Sequence, residues 1–171
     1  MPTAFVTGAT GFLGLNLVEQ LSERGWVVVA YHRPTSDTAR LVQFPVRRAE
    51  GDIADFDAVA AAMPQGADAV FHLAANTSVW SRRNAEQTRD NVDGTKAVIA
   101  AARAKAAKRV IHVSTWAAYG LEHATIHESS SQSGQFSKVN YVRSKALAEQ
   151  EMKRRWSAPT ERRRSSRVTG S

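Results

Sequence analysis

Tyr141 and Lys145 lie four residues apart in Tyr141-Val142-Arg143-Ser144-Lys145, a spacing that puts both on one face of a helix. A tyrosine hydroxyl ordinarily titrates near ~10, too high for efficient proton transfer at neutral pH. A neighbouring ammonium stabilises the phenolate, and a lysine can also hold a ribose hydroxyl. The pair can therefore act as a general acid/base and its modulator, although a solvated helical pair has the same spacing. Ser114-Thr115 closes an apolar run and offers hydroxyls that can hydrogen-bond a substrate oxygen. A third element, Gly8-Ala9-Thr10-Gly11-Phe12-Leu13-Gly14, follows Ala4-Phe5-Val6 and opens an amphipathic run to Leu21. Strand, glycine turn and helix in that order make a phosphate site. Glycine permits positive φ and close approach, and the first helical amides point outward with the positive end of the helix dipole. A bare glycine triplet is more often a turn; its place between strand and helix favours the nucleotide reading.

These residues need a sheet to position them. Periodicity and β-branched runs predict strands over 3–7, 26–31, 45–50, 69–75 and 109–114. Helices are predicted over 12–24, from an Asp55 cap to about 63, over 84–107 and over 139–156, with a polar loop at 120–137. The strand 69–75 is apolar on both faces, which indicates a parallel sheet covered on both sides. The expected fold class is α/β, a doubly wound parallel sheet of the Rossmann type with strand order 3-2-1-4-5. Ligands in such sheets bind beyond the carboxyl ends of the strands. The glycine turn, Asp52, Ala74-Ala75 and Ser114-Thr115 all fall at such ends. The second strand ends in His32-Arg33-Pro34, with no acid before Asp37. An acid at this point would hold a ribose 2′-hydroxyl, whereas arginine suits a 2′-phosphate. Arg33 therefore points to NADP rather than NAD, its plain alternative being a solvated loop arginine.

The 171 residues suffice for about one domain with a substantial core. The absence of cysteine excludes disulfides, a thiol nucleophile and cysteine-ligated metals. His72 and His112 lie in apolar strands and read as structural. His123 and His127 lack a third ligand nearby, so no metal site is expected. No basic segment precedes a long apolar run at the N-terminus, and no apolar run approaches the ~20 residues of a membrane span. A cytoplasmic protein without membrane association is expected. The net charge is +7, but residues 153–171 carry +6 of it, leaving +1 for residues 1–152. The basic charge belongs to the tail, so nucleic-acid binding is not expected of the fold.

TGATGFLG at 7–14, Gly51-Asp52, His72-Leu73-Ala74-Ala75, Asn91-Val92-Asp93-Gly94-Thr95, Val113 to Gly120 and Tyr141 with Lys145 together resemble the extended short-chain dehydrogenase/reductase family. That group contains nucleotide-sugar epimerases, dehydratases and dihydroflavonol-reductase-like enzymes. The segment Asn76-Thr77-Ser78-Val79-Trp80 looks closest to the last of these. The resemblance covers residues 3 to about 152. It implies an NAD(P)-dependent oxidoreductase or epimerase-type enzyme acting on a small carbonyl or alcohol substrate. Gly8, Gly11 and Gly14 would bind the pyrophosphate, with Thr10, Phe12 and Leu13 in the same turn. Asp52 would hold the adenine amino group, Ile53 would pack on the ring, and Leu73, Ala74 and Ala75 would lie along the cofactor. Tyr141 would be the acid/base. Lys145 would bind the nicotinamide ribose and favour the ionised form of Tyr141. Thr115 would supply the catalytic hydroxyl, with Ser114 beside it and bulky Trp116 narrowing the substrate site. Asn91 would cap a helix or brace the sheet, and helices such as 84–107 and 139–156 would suit a homodimer.

The resemblance implies a further strand and a substrate domain that KRRWSAPTERRRSSRVTGS does not provide. Residues 1–152 are thus expected to form the cofactor domain, incomplete at its C-terminal edge. Residues 153–171 read as a basic, disordered tail, as a truncated or frameshifted reductase would show. Cofactor binding with little turnover is expected. A nucleotide-sensing or partner-binding module, or non-specific nucleic-acid binding by the tail, are the other classes.

Overall fold

The structure is a computed structural model, and it describes residues 1–78, 80–122, 125–127 and 129–156. Five strands, β1 (Thr3–Thr7), β2 (Val27–His32), β3 (Arg47–Glu50), β4 (Ala69–His72) and β5 (Val110–His112), pair in the order β3-β2-β1-β4-β5. Every pairing is parallel. The register aligns Thr7 with Tyr31 on one side and with His72 on the other, and His72 with His112. All carboxyl ends therefore open on one edge, as the alternating pattern predicts.

Side-chain alternation places two cores on the two faces. Ala4, Val6, Val28 and Ala30 pack under Leu15, Val18 and Leu21 of α1 (Phe12–Glu23). Phe5, Val29, Tyr31 and Val70 pack under α2 (Phe56–Ala62) and α4 (Gly94–Ala104) through Val59, Ala62, Val98 and Ala101. β3 reads Arg-Arg-Ala-Glu because it is an edge strand with little to bury. The helix ends follow local chemistry. α1 stops at Gly25, whose φ of +72° lets Trp26 N–H reach Leu21 O, a left-handed cap that favours glycine. Asp55 caps α2 by accepting from Asp57 N–H and Ala58 N–H.

Several elements differ from the sequence expectation. The strand expected over 69–75 ends at His72 because the chain then turns into the site, where Ala74 N–H donates to Thr7 Oγ1 instead of a ladder partner. Pro45 and Val46 lie outside β3, and β5 keeps three residues of the six expected. The helix expected over 84–107 is α3 (Asn84–Thr88), a π-helical segment (Arg89–Asp93) and α4. The helix expected over 139–156 is present as α5 (Asn140–Trp156). Lys153, Arg154 and Arg155, grouped by charge with the tail, form its last turn and pair with Glu149 and Glu151. Residues 157–171, His123 and Val79 lie outside the described residues, so the tail and the His123–His127 pair are not addressed by this fold. No helix of the described residues is long and apolar enough to cross a membrane.

Gly14 gives a test of sign. Alanine has the higher helix propensity, by roughly 1 kcal/mol. A Cβ at Gly14, however, would stand 2.2 Å from Gly8 O and 2.8 Å from Ala9 Cα. Gly14→Ala is expected to destabilise the fold by about 1–3 kcal/mol in urea unfolding. A stabilised variant would show that helix propensity outweighs this contact.

Candidate active site

The three glycines of the turn do different work. Gly8 has a φ of +69°, and a Cβ there would meet Ala74 N at 2.8 Å, so the ends of β1 and β4 touch backbone to backbone. Gly11 is the N-cap of α1 and lines the cleft, and no side chain caps the helix or places an acid in its first turn. Gly14 faces inward and sets the seating of α1 on the turn. The exposed helix start, uncapped and opening into a cleft beside Thr10, is a cradle for an anion. Phe12 and Leu13 are 86% and 51% exposed at the same helix start.

The ends of β2 and β3 form the outer part of the cleft. Arg33 is exposed and lines it together with His32 and Ser36, while Ser36 N–H donates to Arg33 O in a turn. Gly51 lets Tyr31 stand beneath the next loop: a Cβ at Gly51 would lie 2.2 Å from the Tyr31 hydroxyl, which donates to Asp52 O. Burial first, then Asp55 and Asp52, push the Tyr31 hydroxyl up to about 12. Ile53 lines the cleft and packs on Gly94, where a Cβ would meet it at 3.0 Å. The Asp52 carboxylate accepts Ala54 N–H and is paired with Arg89 of the π segment. The hydrogen bond from Arg89 is the main reason this carboxyl lies below its usual range.

Leu73, Ala74, Ala75 and Asn76 form the inner wall. Asn91, 2% exposed, holds that wall at both peptide groups of Asn76: Oδ1 accepts Asn76 N–H at 2.7 Å and Nδ2 donates to Asn76 O at 3.1 Å. Its Nδ2 also donates to Ser144 Oγ at 2.9 Å, and Ser144 donates to Tyr141 O. Gln87 adds a second tie, donating to Asn76 O and Ser78 O while its Oε1 accepts from Asn140 Nδ2. Asn91 thus braces both the cleft wall and α5; the sequence reading has it cap a helix or brace the sheet.

On α5, Lys145 is 3% exposed and donates from Nζ to Val113 O at 2.7 Å. Burial lowers its ammonium to about 8, with Glu149 acting in the opposite sense. Tyr141 is half-buried one turn earlier, and its hydroxyl has no hydrogen-bond partner among the described residues. Thr115 Oγ1 accepts Ala117 N–H at 3.4 Å, leaving its O–H free to donate. Ser114 differs: its hydroxyl donates to Glu149 Oε2 at 2.5 Å. Burial opposes charge on Glu149, but hydrogen bonds from Ser114, Lys153 and Gln132 outweigh it and hold this carboxyl below its usual range. Trp116 is 65% exposed and does not line the cleft.

One cleft thus gathers Gly8, Thr10, Gly11, Arg33, Ile53, Leu73, Ala74 and Ala75. Phe12, Leu13, Gly14 and Asp52 lie around it without lining it, and Ser114, Thr115, Tyr141 and Lys145 stand at the β5–α5 side. Sequence reasoning missed Tyr31, His32, Ser36, Asn76 and Asp90 in the lining. Only Tyr31 and His32 carried a signal, since both sit at the carboxyl end of a predicted strand. Among the described residues no group of three histidines, cysteines or acids could hold a metal.

The NAD dependent epimerase/dehydratase family matches residues 4–160. A Synechocystis sp. protein named "Putative dihydroflavonol 4-reductase" is 36% identical over 149 residues, which are 86% of this chain and 43% of that protein. Sterol demethylase protein B of Methylococcus capsulatus is 36% identical over 157 residues, 88% of this chain and 46% of the other. The structure of UDP-glucose 4-epimerase from Brucella ovis in complex with NAD matches with a TM-score of 0.81 at 28% identity, over 92% of this chain and 49% of that one. The chain spans about half the length of the relatives it matches. With the glycine cradle at β1, the braced wall after β4 and the Tyr141–Lys145 face of α5 assembled on one sheet edge, the chain belongs to the NAD-dependent epimerase/dehydratase family.

Proposed function

We propose that this chain binds NADP(H) in the cleft between β1 and β4 and serves a reductase-type reaction on a carbonyl or alcohol substrate, with Tyr141 as the proton donor and acceptor. The observation that carries the reading is the arrangement on α5. Lys145 is anchored to the end of β5, Tyr141 lies one turn away with an uncommitted hydroxyl, and Thr115 keeps a proton to donate. The uncapped start of α1 above Gly8 and Gly11 suits the pyrophosphate, and Ile53 and Ala74 offer apolar walls for rings. Arg33, with Ser36 and His32 beside it, suits a 2′-phosphate. A bound nicotinamide supplies or accepts hydride at the substrate carbon. In reduction Tyr141 gives its proton to the substrate oxygen, and Thr115 donates a hydrogen bond to the same oxygen. Lys145, still mostly an ammonium at neutral pH, favours the phenolate left behind. Ser114 is left out of this role because Glu149 already holds its proton.

Two measurements test the reading. Titration of NADPH fluorescence is expected to show binding, and Arg33→Ala is expected to weaken NADPH by about 10- to 100-fold, as for a lost charge-assisted hydrogen bond. NADH binding should stay unchanged; a folded chain that binds neither nucleotide overturns the proposal. Tyr141→Phe should leave the NADPH dissociation constant unchanged within about twofold. It should lower ketone-dependent NADPH oxidation by about 10²–10⁴-fold, and equal turnover by both proteins would remove Tyr141 from the chemistry.

A further inference from the structure

The polar groups buried behind the cleft admit one arrangement of protons. Thr95 Oγ1 lies 2.7 Å from Asn91 O, which can only accept, so the Thr95 hydroxyl donates there. The same oxygen lies 3.0 Å from His72 Nε2 and must accept from it. Nε2 therefore carries a proton. Across the ring, His72 Nδ1 lies 2.9 Å from Thr7 Oγ1, which itself accepts Ala74 N–H at 3.2 Å. Either the Thr7 hydroxyl donates to a bare Nδ1, or the ring is a fully buried imidazolium. Among the described residues no carboxylate stands beside the ring to compensate an imidazolium. His72 is 1% exposed, the ring of His112 stands 5.1 Å away, and the nearby charge is the ammonium of Lys145. Burial first, then these two neighbours, hold His72 far below the usual imidazole range. The ring is neutral, and four hydrogen bonds run from Ala74 N–H through Thr7, His72 and Thr95 to Asn91 O.

The two ends of this chain are the two parts of the cleft wall. Ala74 is the residue whose backbone touches Gly8, and Asn91 is the side chain that fixes Asn76 and reaches α5 through Ser144. We propose that His72, fixed as the neutral Nε2–H tautomer by Thr7 and Thr95, is a positioning residue that sets the spacing of Ala74 and Asn91, so that nucleotide affinity depends on a histidine that no ligand touches. This rests on the reading that the cleft binds a nicotinamide dinucleotide. A histidine that merely fills the core would affect stability and leave affinity alone.

The tautomer is read directly by ¹⁵N–¹H correlation spectra of histidine-labelled wild-type protein at pH 7. The expected result is a protonated Nε2 and a bare Nδ1 for His72; the opposite tautomer or an imidazolium overturns the proposal. Thr95→Val keeps the shape and removes the hydroxyl, whereas Thr95→Ser restores it. NADPH titration is expected to show about tenfold weaker binding for Thr95→Val and binding within about twofold of wild type for Thr95→Ser. Folded Thr95→Val with wild-type affinity overturns the proposal. Thr7→Val makes the same cut at the other end, with the same expected loss, should Thr95→Val fail to fold. Wild-type protein that binds no NADPH would instead remove the cofactor reading, and the spectrum would still decide the tautomer.

Discussion

The site depends on one buried amide. Asn91 accepts from and donates to the same residue, Asn76, and spends its remaining donor on Ser144 of α5. A buried polar group that loses a partner costs about 1–3 kcal/mol, so each of these contacts holds the others in place. The loop after β4 has no ladder to rest on beyond His72. Asn91 substitutes for one, giving the chain the backbone partners a strand would have supplied while leaving it free to line a cleft. The motif Asn91-Val92-Asp93-Gly94-Thr95 acquires separate meanings from this arrangement: an amide for the loop, a missing Cβ for Ile53, and a hydroxyl facing His72.

Electrostatics divide the edge into two regions. The start of α1 is uncapped, without an acid in its first turn, and Arg33 lies across the cleft from it. Beside this end the Asp52 carboxylate is paired with Arg89 and accepts Ala54 N–H, and Asp90, which lines the cleft, is paired with Arg89 as well. The β5–α5 end carries the opposite problem, a buried lysine. Lys145 meets it by donating to Val113 O and by lying near Glu149, which is itself held ionised by Ser114, Gln132 and Lys153. Ser114 and Thr115 are neighbours in sequence with different tasks, the first steadying Glu149 and the second facing a 3₁₀ turn with its proton unused.

The sheet and its order were legible because parallel strands buried on both faces are apolar throughout, and because some helix ends carry a local signal, such as Gly25 after α1 or Asp55 before α2. The glycine turn was legible as a turn between strand and helix, although the separate duty of Gly14 needs the distance to Gly8 O. What escaped the sequence is what long-range contacts decide. The pairing of Arg89 with Asp52 spans 37 residues between two half-exposed side chains, and no local pattern marks it. The Ala-rich stretch from 84 to 107 reads as uniform helix, since composition says nothing of a widened turn. His32, Ser36 and Asp90 enter the cleft only because strand ends and the π segment converge there.

That widened turn has a consequence for variation. A π turn holds one residue more than an α turn, and one residue is worth about 100° of rotation around a helix. Gln87 and Asn91 before and within it, and Thr95 after it, reach Asn76 and His72 only with that extra residue in place. Deleting one residue near Arg89 would yield a more regular helix with every motif side chain still present, yet Thr95 would swing away from His72. The stretch is constrained by length more tightly than by composition. Exposed positions such as Ala85 or Ala100 make no polar side-chain contact, whereas an insertion or deletion beside them would dismantle the cleft wall from behind.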